Sequence, residues 1–267
     1  MGKEILGSLE LNRAYQMDCL EGMKLLPDKS IDMILCDLPY GTTACKWDEI
    51  IPFEPLWKQY KRIIKDNGAI VLTASQPFTT KLINSNIDWF KYTWVWNKEI
   101  AGAFALAKYR PMIIHEDICV FSKEKTNYYP IMEDANPKNI RPVNKGSKAS
   151  EATPVASGIA KSDPNYNPKK RYPKSILTYS KYMAECNQLN RVHPTQKPVA
   201  LFEYLIKTYT NKGDIVLDNC LGSGTTAVAC ELNNRKWVGF ETEREYIEII
   251  NKRLDSIQLE DNLEDYK

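Results

Sequence analysis

The sequence predicts an α/β fold, with a largely parallel sheet covered by helices on both faces and a long inserted segment. Short apolar runs of strand length alternate with amphipathic segments of helical period from about residue 30. The alternation stops near Phe121 and resumes near Val199, and the segment between them is rich in basic residues, prolines and tyrosines. The 267 residues, 43% of them hydrophobic, suffice for one large domain that carries an insertion.

The individual elements follow from apolar spacing and from Gly and Pro positions. In the first half we expect a buried strand at 31–36, a helix at 53–65 ended by Asn67-Gly68, a strand at 69–73, a helix at 76–85, a strand at 92–96 and a strand beginning near His115. In the second half we expect helix 199–209, strand 214–218, helix 225–233, strand 237–241 and helix 244–254. Strands separated by helices in this way indicate parallel pairing.

Charge and cysteine usage exclude several classes of protein. The formal net charge is only +2, so any polyanionic partner has to be met by a local patch. The seven cysteines show neither a CxxC pair nor regular spacing, which indicates neither a zinc site nor a disulfide framework and favours the cytoplasm. No apolar run approaches the roughly 18 residues of a membrane span, so we expect no membrane association.

A local basic patch lies in the inserted segment. Residues 136–175 contain nine basic and two acidic residues, interleaved with tyrosines, a combination suited to phosphate neutralisation and base stacking. The candidate DNA-binding residues are Lys138, Arg141, Lys145, Lys148, Lys169, Lys170 and Arg171. A solvated surface loop would have the same composition, but long loops inside compact folds tend to carry binding functions.

A glycine loop between a strand and a helix suggests a nucleoside cofactor. Gly222 and Gly224 follow the strand that ends at Asp218, and Glu241 ends the next strand, where a carboxylate can accept both hydroxyls of a ribose. Ala227 replaces the third glycine of the dinucleotide pattern, and Asp218 would repel a pyrophosphate but accept an ammonium group. S-adenosylmethionine has these properties, although a GxG by itself is common in structural turns.

The second chemical motif is Asp37-Leu38-Pro39-Tyr40, directly after the strand at 31–36. A carboxylate, a backbone carbonyl and an aromatic face could hold a planar base by its exocyclic amino group. A strand followed by a proline turn with a capping aspartate is the structural alternative.

These motifs together resemble the amino-methylating DNA methyltransferases, in the β-class order. The catalytic tetrapeptide comes first, the target-recognition insertion second, and the segment His193-Pro-Thr-Gln-Lys-Pro and the glycine loop last, over about residues 15–254. The resemblance implies a Rossmann-like, S-adenosylmethionine-dependent catalytic domain at 1–122 and 192–267, with target recognition at 123–191. It implies double-stranded DNA as partner in a bacterial or phage-infected cell, and leaves open a homodimer and a cognate restriction endonuclease.

The resemblance also implies residue roles. Catalytic roles fall to Asp37, Leu38, Pro39 and Tyr40, and cofactor-binding roles to Asp18, Asp218, Gly222, Gly224, Thr225, Glu241, Thr195, Gln196 and Lys197. Two positions depart from the family pattern: Leu38 replaces a proline, and Cys220 stands where phenylalanine is frequent.

The expected reaction is methylation of N6 of a flipped adenine, without a metal ion. The nearest alternative is N4 methylation of cytosine, for which the family more often has serine at the position of Asp37. More distant alternatives are methylation of RNA or of a protein amide, a catalytically silent DNA-binding module and a nicotinamide-dependent oxidoreductase.

Overall fold

The structure, a computed structural model, describes residues 3–43, 48–102, 104–139, 167–180 and 196–264. The chain divides into two compact units, one formed by residues 1–129 and 175–267 and the other by residues 130–174. The α/β architecture belongs to the first unit.

The first unit is built on an eight-stranded sheet. Its strands are β3 (Arg13–Gln16), β4 (Ile31–Cys36), β5 (Ile64–Ala74), β6 (Phe90–Gly102), β7 (Ile113–Phe121), β10 (Ile176–Thr178), β11 (Ile215–Asp218) and β12 (Lys236–Glu241), after a small hairpin of β1 (Ile5–Leu6) and β2 (Leu9–Glu10). The order is β10-β6-β7-β5-β4-β11-β12-β3, and within it β7 is antiparallel to both neighbours while the other pairs are parallel.

Six helices cover the two faces of this sheet. They are α1 (Cys19–Lys24), α2 (Phe53–Ile63), α3 (Phe78–Ser85), α4 (Val199–Tyr209), α5 (Thr225–Leu232) and α6 (Arg244–Glu264). Side chains of α1 to α3 pack with Ile34 and Cys36 in one core cluster, and those of α4 to α6 pack with Met33 and Leu35 in the other. Successive residues of β4 thus enter opposite cores, which is why the strand is apolar from Met33 to Cys36.

The expected fold class is confirmed, and so are most element positions. Strand 31–36 and helix 199–209 have the expected bounds. Asn67-Gly68 does not end a helix as expected: α2 stops at Ile63 and the pair lies inside β5, where a register shift against β4 absorbs the irregular residues. The last helix is longer than expected and continues to Glu264.

The second unit contains part of the basic segment. Strands β8 (Glu133–Asp134) and β9 (Lys170–Arg171) form an antiparallel pair, in which Asp134 faces Lys170. The Lys170 ammonium lies 2.7 Å from a carboxylate oxygen of Asp134, so an acidic residue just before the segment compensates one of its positive charges. The target-recognition boundaries 123–191 stay a prediction.

Within the described ranges, no helix is both long and apolar enough to cross a membrane. The longest helix, α6, carries charged residues throughout its length.

Candidate active site

One cavity of about 430 Å³ lies where the strand order reverses direction. From β4 the chain proceeds to β5 on one side of the sheet, whereas from β11 it proceeds to β12 on the other. The carboxyl ends of β4 and β11 therefore splay apart, and the crevice between them is where open α/β sheets bind ligands. Asp37 follows β4 and Asp218 ends β11, and both line the cavity.

The carboxylate of Asp37 is held by three side chains. Its Oδ1 atom accepts hydrogen bonds from the Tyr40 hydroxyl, at 2.9 Å, and from the Thr73 hydroxyl. Its Oδ2 atom accepts from the Lys197 ammonium at 2.5 Å. A carboxylate offers about four acceptor positions, so Oδ2 keeps capacity for one further donor.

A chain of alternating charges continues from Asp37. Lys197 Nζ also lies 3.6 Å from Glu116 Oε2, and Glu116 Oε1 lies 3.1 Å from Lys98 Nζ. Side-chain exposure in this chain is at most 24%, so water screens these pairs poorly. Glu116 Oε2 is buried and has no hydrogen-bond partner among the described residues. The two lysines and two carboxylates balance in charge.

The pKa values reflect this environment. Burial by itself would lower the pKa of Lys197, but the negative charges of Asp37 and Glu116 outweigh it and raise that pKa above its ordinary value. Burial, with the same two carboxylates, holds the pKa of Tyr40 well above 10. Lys197 is therefore cationic and Tyr40 a neutral hydrogen-bond donor at physiological pH.

The rest of the tetrapeptide is fixed by packing and by a loop. The Tyr40 ring stacks on Phe78 with centroids 5.1 Å apart, and Leu38 is 3% exposed. In the loop that follows the tetrapeptide, the buried Asp48 accepts hydrogen bonds from the backbone N–H groups of Gly41, Thr42 and Thr43 at 2.7–2.9 Å. Burial raises the pKa of Asp48, but these hydrogen bonds bring it below its usual range.

The glycine loop forms the other half of the cavity. Gly222 (φ 52°) and Gly224 (φ 79°) adopt left-handed backbone conformations that favour glycine, and Gly224 caps the start of α5. Asp218 braces this loop from beneath: it accepts hydrogen bonds from the N–H of Cys220 at 3.0 Å and from the Thr226 hydroxyl at 2.5 Å. Burial raises the pKa of Asp218 to about 6, although these bonds oppose the shift.

Glu241 closes the loop on the outer side. Its Oε2 atom accepts from the N–H of Gly222 at 2.7 Å, and its Oε1 atom accepts from the N–H groups of Thr242 and Glu243. One carboxylate oxygen of Asp18 caps the N-terminus of α1, because it accepts hydrogen bonds from the backbone N–H groups of Leu20 and Glu21. Both carboxylates line the cavity and keep acceptor capacity for hydroxyl or amino groups.

The charges of the lining residues decide which cofactor fits. Seven carboxylate side chains and two lysines line the cavity, and both lysines lie at the Asp37 end. A phosphate group would meet uncompensated negative charge beside the glycine loop, whereas a nucleoside that carries a positive charge is favoured there. The cavity volume is within the range of small-molecule sites, so the residues present fit S-adenosylmethionine.

Most of the sequence-predicted site residues meet in this cavity. Every candidate catalytic residue lines it, as do Asp18, Asp218, Gly222, Thr225, Glu241, Gln196 and Lys197. Gly224 supports it from the start of α5, and the Thr225 hydroxyl bonds to the Lys197 carbonyl at 3.3 Å. Thr195 and His193 lie outside the described residues. We expected Lys197 to bind the cofactor, but its ammonium donates a hydrogen bond to the Asp37 carboxylate.

The candidate DNA-binding residues are only partly described. Lys138 and Lys169 are exposed, and Arg171 donates to the carbonyl oxygens of Pro168 and Lys170. Arg141, Lys145 and Lys148 lie outside the described residues.

Sequence reasoning missed four residues of the site: Thr73, Lys98, Glu116 and Asp48. Thr73 could have been found, because it lies one residue before the carboxyl end of β5, the strand next to β4, and strand ends meet at one edge of a sheet. Lys98 and Glu116 are charged residues in two largely apolar strands, but their meeting depends on the β6–β7 register, in which Trp96 faces Glu116.

Comparisons with known proteins agree with this geometry. The N6_N4_Mtase family model, described as DNA methylase, matches residues 31–252. The chain is 28% identical over 251 residues to the type II methyltransferase M.HpaI of Haemophilus parainfluenzae, covering 90% of this chain and 73% of that protein. It is also 28% identical over 255 residues to the DNA adenine methyltransferase YhdJ of Escherichia coli K12, covering 89% and 81%.

Solved structures show the same architecture. An M1.HpyAVI–SAM complex is 25% identical and matches with a TM-score of 0.60, covering 91% of this chain and 98% of that one. The cytosine-N4-specific PvuII DNA methyltransferase, 20% identical, also has a TM-score of 0.60, covers 90% and 85%, and supports the fold alone. The crevice of strand-end aspartates, the glycine loop and the family match lead to one conclusion: the chain belongs to the N6/N4 family of DNA methyltransferases, which use S-adenosylmethionine.

Proposed function

We propose that the protein transfers a methyl group from S-adenosylmethionine to N6 of an adenine that is flipped out of double-stranded DNA into this cavity. The observation that carries the proposal is the Asp37 carboxylate, which is oriented by three donors and keeps one acceptor position open at the cavity end of β4. N4 methylation of cytosine is the alternative, because the same attack by an exocyclic amine would suit this carboxylate.

Asp37 and the Leu38 carbonyl would accept hydrogen bonds from the amino group of the base. The ring draws the nitrogen lone pair into its π-system, so an amino group is a poor nucleophile until such bonds favour a more tetrahedral nitrogen. S-adenosylmethionine supplies an electrophilic methyl group when bound. As the bond from the methyl group to the amino nitrogen forms, the bond from the methyl group to the sulfonium would break to leave a neutral thioether, and the carboxylate would stabilise the positive charge that grows on the nitrogen. The surplus proton on that nitrogen would then leave to solvent. Tyr40 would offer an aromatic ring for stacking.

Lys197 would act as a positioning residue rather than as a cofactor ligand. Its ammonium fixes one oxygen of Asp37 by a hydrogen bond, at the cost of a positive charge beside a nitrogen that is itself becoming positive. Glu116 offsets that cost, because it places a second negative charge 3.6 Å from Lys197 Nζ. Lys197 and Glu116 together would therefore orient Asp37 without cancelling the negative potential that the reaction needs.

At the other end of the cavity, Glu241 would accept the ribose hydroxyls and Asp18 would contact the adenine end of the cofactor. Gly222, Gly224 and Thr225 would shape the backbone beneath it, and Asp218 would hold that loop in place. Gln196 would line the methionine end.

Two observations favour adenine over cytosine. The tetrapeptide begins with Asp37, whereas the family more often has serine there when the target is cytosine. The relative YhdJ, which is described as a DNA adenine methyltransferase, matches over 89% of this chain. We also propose that residues 123–191 carry target recognition, with the basic residues of that segment on the phosphate backbone.

The deciding experiment is mass spectrometry of nucleosides from unmethylated DNA, after incubation with the purified protein and S-adenosylmethionine. We expect N6-methyladenine with the wild-type protein and none with Asp37→Ala. N4-methylcytosine would instead establish the alternative, and undiminished methylation by Asp37→Ala would overturn the assigned role of the carboxylate.

A further inference from the structure

The two strands that bring Lys98 and Glu116 to the cavity continue beyond it as an exposed arm at 100–114, of which the structure describes residues 100–102 and 104–114. Phe104 is 84% exposed and Tyr109 is 85% exposed, which is unusual for side chains that gain most from burial. Further exposed apolar side chains of the arm are Ile100, Leu106, Met112 and Ile114, each 41–45% exposed. A cluster of this kind in one short segment indicates an interaction surface rather than scattered surface residues.

The charges of the arm indicate which class of molecule it binds. Residues 100–114 contain no Asp or Glu, and Lys108 and Arg110 flank Tyr109. Neither basic side chain forms an ion pair with any residue that the structure describes. Aromatic rings between unpaired cations suit a nucleic acid, which offers base faces and phosphates. Self-association through a two-fold axis would instead bring like charges together.

The arm also lies where DNA has to pass. β6 runs parallel to β5 and β4, so its carboxyl end emerges at the edge of the sheet that holds the cavity. Trp96, Lys98 and Glu116 line the cavity, and the arm joins these same strands directly. A base that enters the cavity leaves a duplex lying across this rim, and the vacated position in the base stack is open to an aromatic wedge.

We propose that the arm 100–114 is a second DNA-contact surface, separate from the basic segment at 136–175. Lys108 and Arg110 bind phosphates next to the target nucleotide, and Phe104 and Tyr109 stack on the bases that border the position vacated by the flipped base. This inference rests on the proposed function.

The test uses the full chain and two double variants, Phe104→Ala with Tyr109→Ala and Lys108→Gln with Arg110→Gln. Matched controls are Ile87→Ala and Lys212→Gln, which alter exposed residues in loops that precede β6 and β11, at the opposite edge of the sheet. Affinity for a mixed-sequence 30-base-pair duplex is measured by fluorescence anisotropy over a salt series. S-adenosylmethionine binding by calorimetry, thermal unfolding and DNA methylation are measured in parallel.

We expect both double variants to bind the duplex about 10-fold to 100-fold more weakly and to show a raised KM for DNA, while cofactor affinity and unfolding temperature stay unchanged. The Lys108→Gln, Arg110→Gln variant should also lose about 1.8 from the slope of log K against log salt, since each phosphate contact contributes about 0.9. Both controls should behave as the wild type.

Three other results would overturn the inference. Wild-type DNA affinity and salt slope in both double variants would remove the arm from the DNA interface and leave the proposed function intact. Loss of a wild-type dimer in the aromatic variant, seen by light scattering with DNA binding unchanged, would identify a protein interface. A wild-type chain that neither bound nor methylated DNA would overturn the proposed function together with this inference.

Discussion

Asp37 and Asp218 are the same residue type at the carboxyl ends of two neighbouring strands, yet the structure uses them differently. Asp218 is 3% exposed, and the groups that donate to it, such as the backbone N–H of Cys220 and the Thr226 hydroxyl, are neutral. Asp37 is bound by the ammonium of Lys197 as well as by two hydroxyls. The comparison teaches that strand-end position brings a carboxylate to the crevice, while its partners decide between bracing a loop and presenting charge to a substrate.

The largest effect is expected when the negative charge that Asp37 presents to the substrate is removed. Asp37→Ala should lower kcat at least about 1000-fold, because the only carboxylate proposed to bond the amino group is lost. Cofactor affinity, measured by calorimetry, should stay within a few-fold of the wild type.

Both substitutions remove the charge that pairs with Lys197, but Asp37→Ala also removes the volume of the side chain, so Asp37→Asn serves as the second variant. It keeps the volume and one acceptor, and should still lose most of the activity if charge matters. Asp88→Ala, an exposed residue in the loop before β6, is the matched control. Full activity in a folded Asp37→Asn protein would show that methylation does not need the negative charge of Asp37. It would contradict the distinction drawn here between Asp37 and Asp218.

The next effect is the contribution of Asp218 to the free energy of unfolding, which should depend on pH. The pKa of Asp218 is raised to about 6 against 3.8 for an unburied carboxyl, so the native state binds more protons than the unfolded state between these values. The free energy of unfolding of the wild type, relative to Asp218→Asn, should therefore rise as pH falls from 7 to 4, by at most about 3 kcal/mol.

Urea unfolding of both proteins at several pH values measures this difference. Thr226→Val, which removes one of the donors to Asp218, should raise the folded pKa of Asp218 further and move the transition to higher pH. A difference that stays constant with pH would show that the pKa of Asp218 is not raised in the folded state.

A smaller effect is expected when the cation beside Asp37 is removed. Lys197→Met should lower kcat about 100-fold through lost orientation of the carboxylate, with KM for S-adenosylmethionine changed little, because the ammonium lies on Asp37. Lys207→Met is the control, because Lys207 lies in α4, which begins two residues after Lys197, and its side chain is 45% exposed. An effect confined to KM for the cofactor would instead restore the cofactor-binding role expected from the sequence.

The smallest effect tests the outer member of the charge chain. Glu116→Gln leaves two lysines against one carboxylate and should lower kcat about 10-fold. Because Glu116 helps to raise the pKa of Lys197, the alkaline limb of the pH–rate profile should move to lower pH. Glu124→Gln, exposed just beyond β7, is the control. An unshifted profile would separate Glu116 from the Asp37–Lys197 pair.

The sequence by itself determined the sheet, most of its elements and the aspartates at its edge. The apolar run at 33–36 predicted the end of a strand buried on both faces, and Asp37 follows it directly. The glycine loop and Glu241 were equally local signals, because a strand, two glycines and a helix are contiguous in the chain. The resemblance then joined these separate motifs into one site.

Tertiary structure alone decided what each charged group touches. Lys197 is 160 residues from Asp37, and Glu116 reaches the same cluster only through the antiparallel register of β6 and β7. The partners that separate Asp37 from Asp218 follow from that packing. Local periodicity reflects the burial of a residue's own segment, whereas the partner of a buried charge is set by long-range strand order and register, which no local pattern encodes.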